Sequence, residues 1–300
     1  MATVQTNRVH IVEVGPRDGL QNDAAQLSPA VRAELIGRLE AAGISEIEAV
    51  SFVHPQRVPQ MAGAEEVVAQ LGKLKANLTA LILNERGFER ALASGLRRVR
   101  YAFPVTEEFA RRNQNQSVNE AIELAHTLIK RARHEKMSIG ILLAASFGCP
   151  FAGRVAPDEV LRIAAQIAAD APDELVFADT IGVGNPVAVR TLLRGAVALG
   201  VPEMRLGGHF HNTRNTGYAN AVAAIEAGAA ALDSSLGGLG GCPFAPRATG
   251  NIATEDLGYL LREMGISTGL NLEALIEVGR WLSDQLGHEL PGMLAQAGDF

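Results

Sequence analysis

The chain has 300 residues, 47% hydrophobic and 20% charged, the balance of a globular protein with a substantial core. Its net charge of −6 offers no global field for nucleic acid or an anionic membrane, so an anionic ligand must be held by local arginines. Two cysteines form no disulfide framework, no uninterrupted apolar run is long enough to span a membrane, and a reducing cytoplasm is the expected compartment.

Eight short apolar or β-branched runs read as strands: Val9 to Val14, Ile44 to Phe52, Leu78 to Leu83, Val99 to Phe103, Ser138 to Ala144, Leu175 to Ala178, Arg205 to His211, and Ala230 to Ser235. Helix-patterned stretches lie between them. Ser28-Pro29 opens one that runs toward Ala42-Gly43, and Ala156-Pro157-Asp158-Glu159 opens another with acids in its first turn. Asn185-Pro186 opens a third, and Thr216-Gly217 precedes a fourth. Strands alternating with helices predict the α/β class with a parallel sheet, and eight such strands close a (β/α)8 barrel. An open doubly wound sheet is the alternative, but no Gly-x-Gly-x-x-Gly follows the first strand to bind a dinucleotide. One catalytic domain is expected over residues 1–300. From about residue 253 the chain is largely helical, and residues 265–300 are expected to pack on the barrel through Trp281.

Barrel chemistry belongs at the carboxyl ends of strands and in the loops that follow. His209 and His211 end the seventh run; two residues apart on a strand, they face the same way and could share one metal ion. Arg17 and Asp18 follow the first run. Asp18 could cap a turn, yet a carboxylate facing two imidazoles is what a divalent ion needs. Arg17 is an always-charged fork suited to an enolate or carboxylate oxygen, and Glu48, inside an apolar strand, is expected to pair with it. Asp179 either caps the turn toward Gly182 or meets substrate. In Gly237-Gly238-Leu239-Gly240-Gly241-Cys242-Pro243, four glycines in five residues precede a cysteine that is a poor core filler and fits a reactive thiol. Cys149 reads as a small packed residue instead. Asn251 is either a helix cap or a neutral oxygen ligand.

The segments Val12 to Asn22, Ser51-Phe52-Val53 with Pro59-Gln60-Met61, Asp179 to Gly184, His209-Phe210-His211, and Gly237 to Pro243 with Gly250 to Asp256 together resemble the 3-hydroxy-3-methylglutaryl-CoA lyase family, in order over about residues 8 to 262. The resemblance implies a (β/α)8 barrel, an acyl-CoA substrate, and Mg2+ or Mn2+ held by Asp18, His209, His211 and Asn251. It implies catalytic roles for Arg17 and Cys242, joined by Asp18, His209, Glu48 and Asp179. The reaction implied is cleavage of the thioester to acetyl-CoA and acetoacetate, as in leucine catabolism and ketone-body formation, by a homodimer. Arg111, Arg112 and Asn113 are expected to meet the CoA moiety. The chain departs from the family pattern at Asn212, where an acid is usual, and Arg214 nearby is placed to meet a different acyl tail. A lyase for a related branched thioester of the citramalyl-CoA type is therefore the first alternative. A condensing acyltransferase of the isopropylmalate synthase kind is the second, with the Cys242 loop against it. A metal-binding barrel without lyase activity is the third, and the retained Arg17 and full ligand set speak against that.

Overall fold

The computed structural model describes residues 8–241 and 250–300. Among these, strands β1 (His10–Glu13), β2 (Glu46–Ser51), β3 (Asn77–Ile82), β4 (Arg98–Pro104), β5 (Ser138–Ala144), β6 (Glu174–Asp179), β7 (Arg205–Phe210) and β8 (Ala231–Ser234) follow the eight predicted runs closely. The helices are α1 (Pro29–Ala41), α2 (Ala64–Gln70), α3 (Glu85–Ala93), α4 (Glu107–Gln114), α5 (Val118–His134), α6 (Pro157–Ala168), α7 (Pro186–Val197), α8 (Gly217–Glu226), α9 (Thr254–Glu263), α10 (Leu272–Leu286) and α11 (Leu294–Ala297). Every strand pairs in parallel with the next. β1 also pairs with β8, from His10 opposite Ala231 to Glu13 opposite Ser234, which closes the barrel and rules out the open sheet.

The predicted helix starts form for the expected local reasons. The Ser28 hydroxyl accepts from the Val31 N–H at 3.3 Å ahead of Pro29, and the Asn185 side chain accepts from Val187 and Ala188 at 3.1 Å ahead of Pro186. α10 lies against α1, with the Arg38 guanidinium 4.5 Å from the centre of the Trp281 ring.

Strand alternation sorts the side chains onto two surfaces. Ile47, Val99, Tyr101, Ile141, Leu175, Phe177 and Leu232 join the large core beneath the helices. The intervening positions turn into the barrel. Near its floor these are charged: Arg205 bridges Glu46 and Glu174, and Arg98 also reaches Glu46. Arg100 on β4 reaches Glu48 on β2, Glu174 on β6 and Asp233 on β8, none on a strand adjacent to its own, so these contacts cross the interior. Above them Leu142, Val176 and Ala178 form a small apolar layer with Ala102 and Ala144.

Two buried acids fasten the mouth. Glu13 accepts from the Gly15 and Leu236 N–H groups at 2.7 and 2.9 Å and from the Thr254 hydroxyl at 2.6 Å; Glu255 accepts from the Gly237 N–H at 3.0 Å. Burial pushes Glu13 up to about 7 and Glu255 up to about 8. Both folded values exceed the unfolded one near 4.5, so the folded state binds more protons across that window. Their contribution is complete below about pH 4.5 and is lost as pH rises toward 8. Unfolding by urea is therefore expected to become easier from about pH 5 to 8, by up to about 1.4 kcal/mol per pH unit for each acid. Glu255→Gln should flatten that slope. An unchanged slope in the variant would remove Glu255 from the explanation.

Candidate active site

A single wide turn, Gly15–Gly19, follows β1, with the Arg17, Asp18 and Gly19 N–H groups all donating to the Val14 carbonyl at 2.7–3.2 Å. A Cβ at Gly15 would lie 2.5 Å from Glu13 Oε1, so a larger residue would push that oxygen off the Gly15 and Leu236 N–H groups. The turn throws Arg17 and Asp18 back over the strand ends. Arg17 Nε donates to Glu48 Oε1, as expected from sequence, and its Nη1 donates to Asp18 Oδ1 at 2.7 Å.

His209 and His211 come in from β7, both buried, with their Nε2 atoms 3.2 Å apart. Asp18 Oδ2 lies 3.9 Å from His209 Nε2 and 4.0 Å from His211 Nε2. Atoms that share an ion at about 2.1 Å must lie within about 4.2 Å of one another, and all three separations satisfy this. His209 Nδ1 is 3.0 Å from Asp233 Oδ2. A carboxylate only accepts, so Nδ1 carries the hydrogen and Nε2 keeps its lone pair for the cluster. Asn251, bridged by its backbone to His211, donates from Nδ2 to Asp18 Oδ2 at 2.9 Å and to the Leu239 carbonyl at 3.1 Å. Its Oδ1 is buried and has no hydrogen-bond partner among the described residues, an acceptor without a donor beside the cluster. Asp18, His209 and His211 thus form a group able to hold a metal ion, with Asn251 at hand.

Charge is distributed accordingly. Burial would raise the Asp18 carboxyl, but Arg17 and then the two imidazoles outweigh it and hold it well below the usual carboxylate range. Burial, with His209 beside it, pushes His211 down to about 4. Burial also works against a charged His209, yet the Asp233 hydrogen bond and Asp18 prevail and raise it.

Above the cluster opens a cavity of about 200 Å³. Arg17, Asp18, His209 and His211 line its polar side, and Leu81, Ala102, Leu142, Ala144 and Ala178 line its apolar wall. Asn113 lines it too. Arg111 and Arg112 do not: Arg111 is 3.8 Å from Glu107 and 3.9 Å from Glu120, and Arg112 lies over the Phe151 ring at 4.3 Å.

Several expectations are corrected by the geometry. Asp179 gives both oxygens to the turn ahead of it, accepting from Val183 and Gly184 at 2.9 Å each, and Ala178 and Thr180 rather than Asp179 line the cavity. Arg214 donates to the Ile181 and Gly182 carbonyls at 3.0 and 2.9 Å, so it braces the loop after β6 instead of facing the acyl site. Asn251 does not cap α9, whose flanking residue is Ala253. Cys149, by contrast, is packed as expected, with Phe109 and Ala145, its sulfur accepting from the Thr106 hydroxyl. Cys242 lies outside the described residues. Sequence reasoning passed over Asp233 and Arg100, although a signal existed in charged residues at strand period inside apolar runs: Glu46 and Glu48, Arg98 and Arg100, and the acid within Ala230 to Ser235.

The fold and site define a parallel α/β barrel with an acid–imidazole, metal-type centre at the carboxyl ends of its strands. Residues 8–282 match the family model described as HMGL-like, and the chain belongs to that family. It is 44% identical to the (R)-citramalyl-CoA lyase of Chloroflexus aurantiacus, over 97% of this chain and 95% of that protein. It is 43% identical to the hydroxymethylglutaryl-CoA lyase of Pseudomonas mevalonii, over 93% of each. It superposes on an HMG-CoA lyase from Acinetobacter baumannii, solved in complex with coenzyme A and 3-methylmalate, with TM-score 0.93 and 35% identity, over 99% of this chain and 97% of that one. No helix among the described residues is long and apolar enough to cross a membrane.

Proposed function

We propose that this chain is a divalent-metal-dependent carbon–carbon lyase that cleaves 3-hydroxy-3-methylglutaryl-CoA to acetyl-CoA and acetoacetate. The observation that carries this reading is the meeting of Asp18, His209 and His211 with Arg17 along the polar side of a cavity that also has an apolar wall. Asp18, His209 and His211, with Asn251 Oδ1, would hold Mg2+ or Mn2+, which suits a set containing carboxylate and amide oxygens. When bound, the ion supplies Lewis acidity toward the substrate hydroxyl.

The apolar wall takes the methyl-bearing carbon chain and excludes water from it. The hydroxyl proton passes to a base at the cluster, Asp18 or His209. His209 is the more basic, since Asp233 supports its charged form while Arg17 holds Asp18 low. An imidazole Nε2 serves as ligand or as base at any one moment, not both. As the hydroxyl oxygen becomes a carbonyl, the bond between C2 and C3 breaks. The electron pair passes to C2 and the thioester, where Arg17 would stabilise the oxyanion. Cys242 would then return a proton to C2. Asn113 faces the cavity and would orient the acyl-CoA; Arg111 and Arg112, on the same helix outside it, are the cations available to the CoA phosphates. A homodimer in the cytoplasm, acting in leucine catabolism and ketone-body formation, completes this reading.

A second reading has a specific observation behind it, the 44% identity to an (R)-citramalyl-CoA lyase. Citramalyl-CoA carries its carboxylate directly on the carbinol carbon, so the same bond cleavage would release pyruvate. One methylene in an apolar pocket discriminates by about 10–200-fold. Purified protein with Mg2+ should release acetoacetate from 3-hydroxy-3-methylglutaryl-CoA, and chelation by EDTA should stop it. A larger kcat/KM for pyruvate release from citramalyl-CoA would move the assignment to the second reading. Neither product, with Mn2+ bound, would defeat both.

A further inference from the structure

We propose that Arg100 is a positioning residue that sets the active cluster through two buried carboxylates, Asp233 behind His209 and Glu48 behind Arg17. The proposal rests on the reading of Asp18, His209 and His211 as a metal centre. Arg100 is only 2% exposed and stands in the barrel interior beneath that cluster. Its Nη2 donates to Glu174 Oε2 at 2.8 Å, and Glu174 is itself held by Arg205 at 2.8 Å, so the guanidinium is anchored from the barrel floor. Its Nη1 faces upward and is shared between Asp233 Oδ2 at 2.8 Å and Glu48 Oε2 at 3.3 Å.

From there two arms rise to one point. Along the first, the same Asp233 oxygen that accepts from Arg100 faces His209 Nδ1, fixing both the ring's orientation and the nitrogen that carries its hydrogen. Along the second, Glu48 uses one oxygen for Arg100 and the other for Arg17 Nε, and Arg17 in turn reaches Asp18 Oδ1. The arms meet where Asp18 and His209 approach within 3.9 Å. Without the cation, Glu48, Asp233 and Glu174 would face one another as buried like charges and separate, turning His209 and Arg17 away from their common point. Lysine cannot replace it fully, because one ammonium nitrogen lacks the planar fork that spans three acceptors.

The test uses metal-free full-length protein, Mn2+ as the probe, and two variants whose folding is checked by circular dichroism. In Asp233→Asn the new amide can donate to Nδ1 and drive the hydrogen to Nε2. The Mn2+ dissociation constant, read by electron paramagnetic resonance, should rise by about 10–100-fold. The nitrogen-15 spectrum of the His209 ring should report the exchanged tautomer. Arg100→Lys keeps the charge; it should weaken Mn2+ binding and lower kcat by about tenfold or more while KM changes little, a pattern general loosening of the fold would not give. Wild-type Mn2+ affinity in both folded variants, with an unaltered His209 ring spectrum, overturns the proposal. Should Asp233→Asn fail to fold, wild-type Mn2+ affinity in Arg100→Lys overturns it alone. A wild-type protein that binds Mn2+ but cleaves neither thioester defeats the proposed function, and the variants' Mn2+ affinities still decide the role of Arg100. Wild-type protein that binds no Mn2+ overturns both.

Discussion

Arg17→Met is expected to lower kcat for thioester cleavage by about 10²–10³-fold with a much smaller change in KM, the pattern of an interaction made chiefly in the transition state. The residue is 5% exposed, and its fork is held by Glu48 on one side and Asp18 on the other, so it is oriented before substrate arrives. That arrangement also carries a structural cost on removal, because Asp18 loses its guanidinium partner and buried Glu48 is left with Arg100 alone; breaking a buried ion pair typically destabilises by about 3–5 kcal/mol. Arg17→Lys separates the two effects. It should recover most of the thermal midpoint while recovering little turnover, since an ammonium cannot span Glu48 and an oxyanion together. Near-normal kcat in folded Arg17→Met would sink the assigned role.

Asp18→Asn should be at least as damaging. The substitution takes the only anion out of the proposed ligand set and leaves two imidazoles and two amides, which bind a hard divalent ion poorly. Metal assistance is worth several kcal/mol at a developing charge, so turnover should fall by about 10³-fold or more, in parallel with lost Mn2+ binding. Chelation of the wild-type protein should have a similar effect and be reversed by Mg2+ or Mn2+. Retained turnover in thoroughly chelated protein would show that the cleavage needs no metal.

The strands were legible because each carries its own signal, a short apolar run bounded by glycine, proline or a capping residue. Their number and alternation with helices implied closure, and the β1–β8 pairing bears that out. His209 and His211 were legible for a similar reason: period two on one strand places both on one face whatever lies opposite. Arg17 and Glu48 were paired by elimination, since a carboxylate in an apolar strand needs a cation and the turn after β1 supplied one. Two residues misled, and a third was open to two readings. The Asp179 carboxylate looks the same in sequence whether it serves a turn or a substrate, and only the Val183 and Gly184 N–H groups decide. Arg214 was read by its neighbours in the chain, yet its partners are carbonyls 32 and 33 residues away. Asn251 stands near a helix start and could be a cap or a ligand, and only the fold, which draws its side chain to Asp18 across a separation of 233 residues, favours the second.

The sequence by itself determined the barrel and the residue types at its mouth, because period, capping and turn chemistry are local and act within a few residues of their source. Only the tertiary structure decided which acid answers which base. Barrel closure brings β2, β4, β6 and β8 to face one another across the interior, and the Arg100 contacts to Glu48, Glu174 and Asp233 exist nowhere but in that shared space. A hydrogen bond depends on distance in three dimensions, and the spacing of 133 residues between Arg100 and Asp233 carries no trace of the 2.8 Å that separates their atoms.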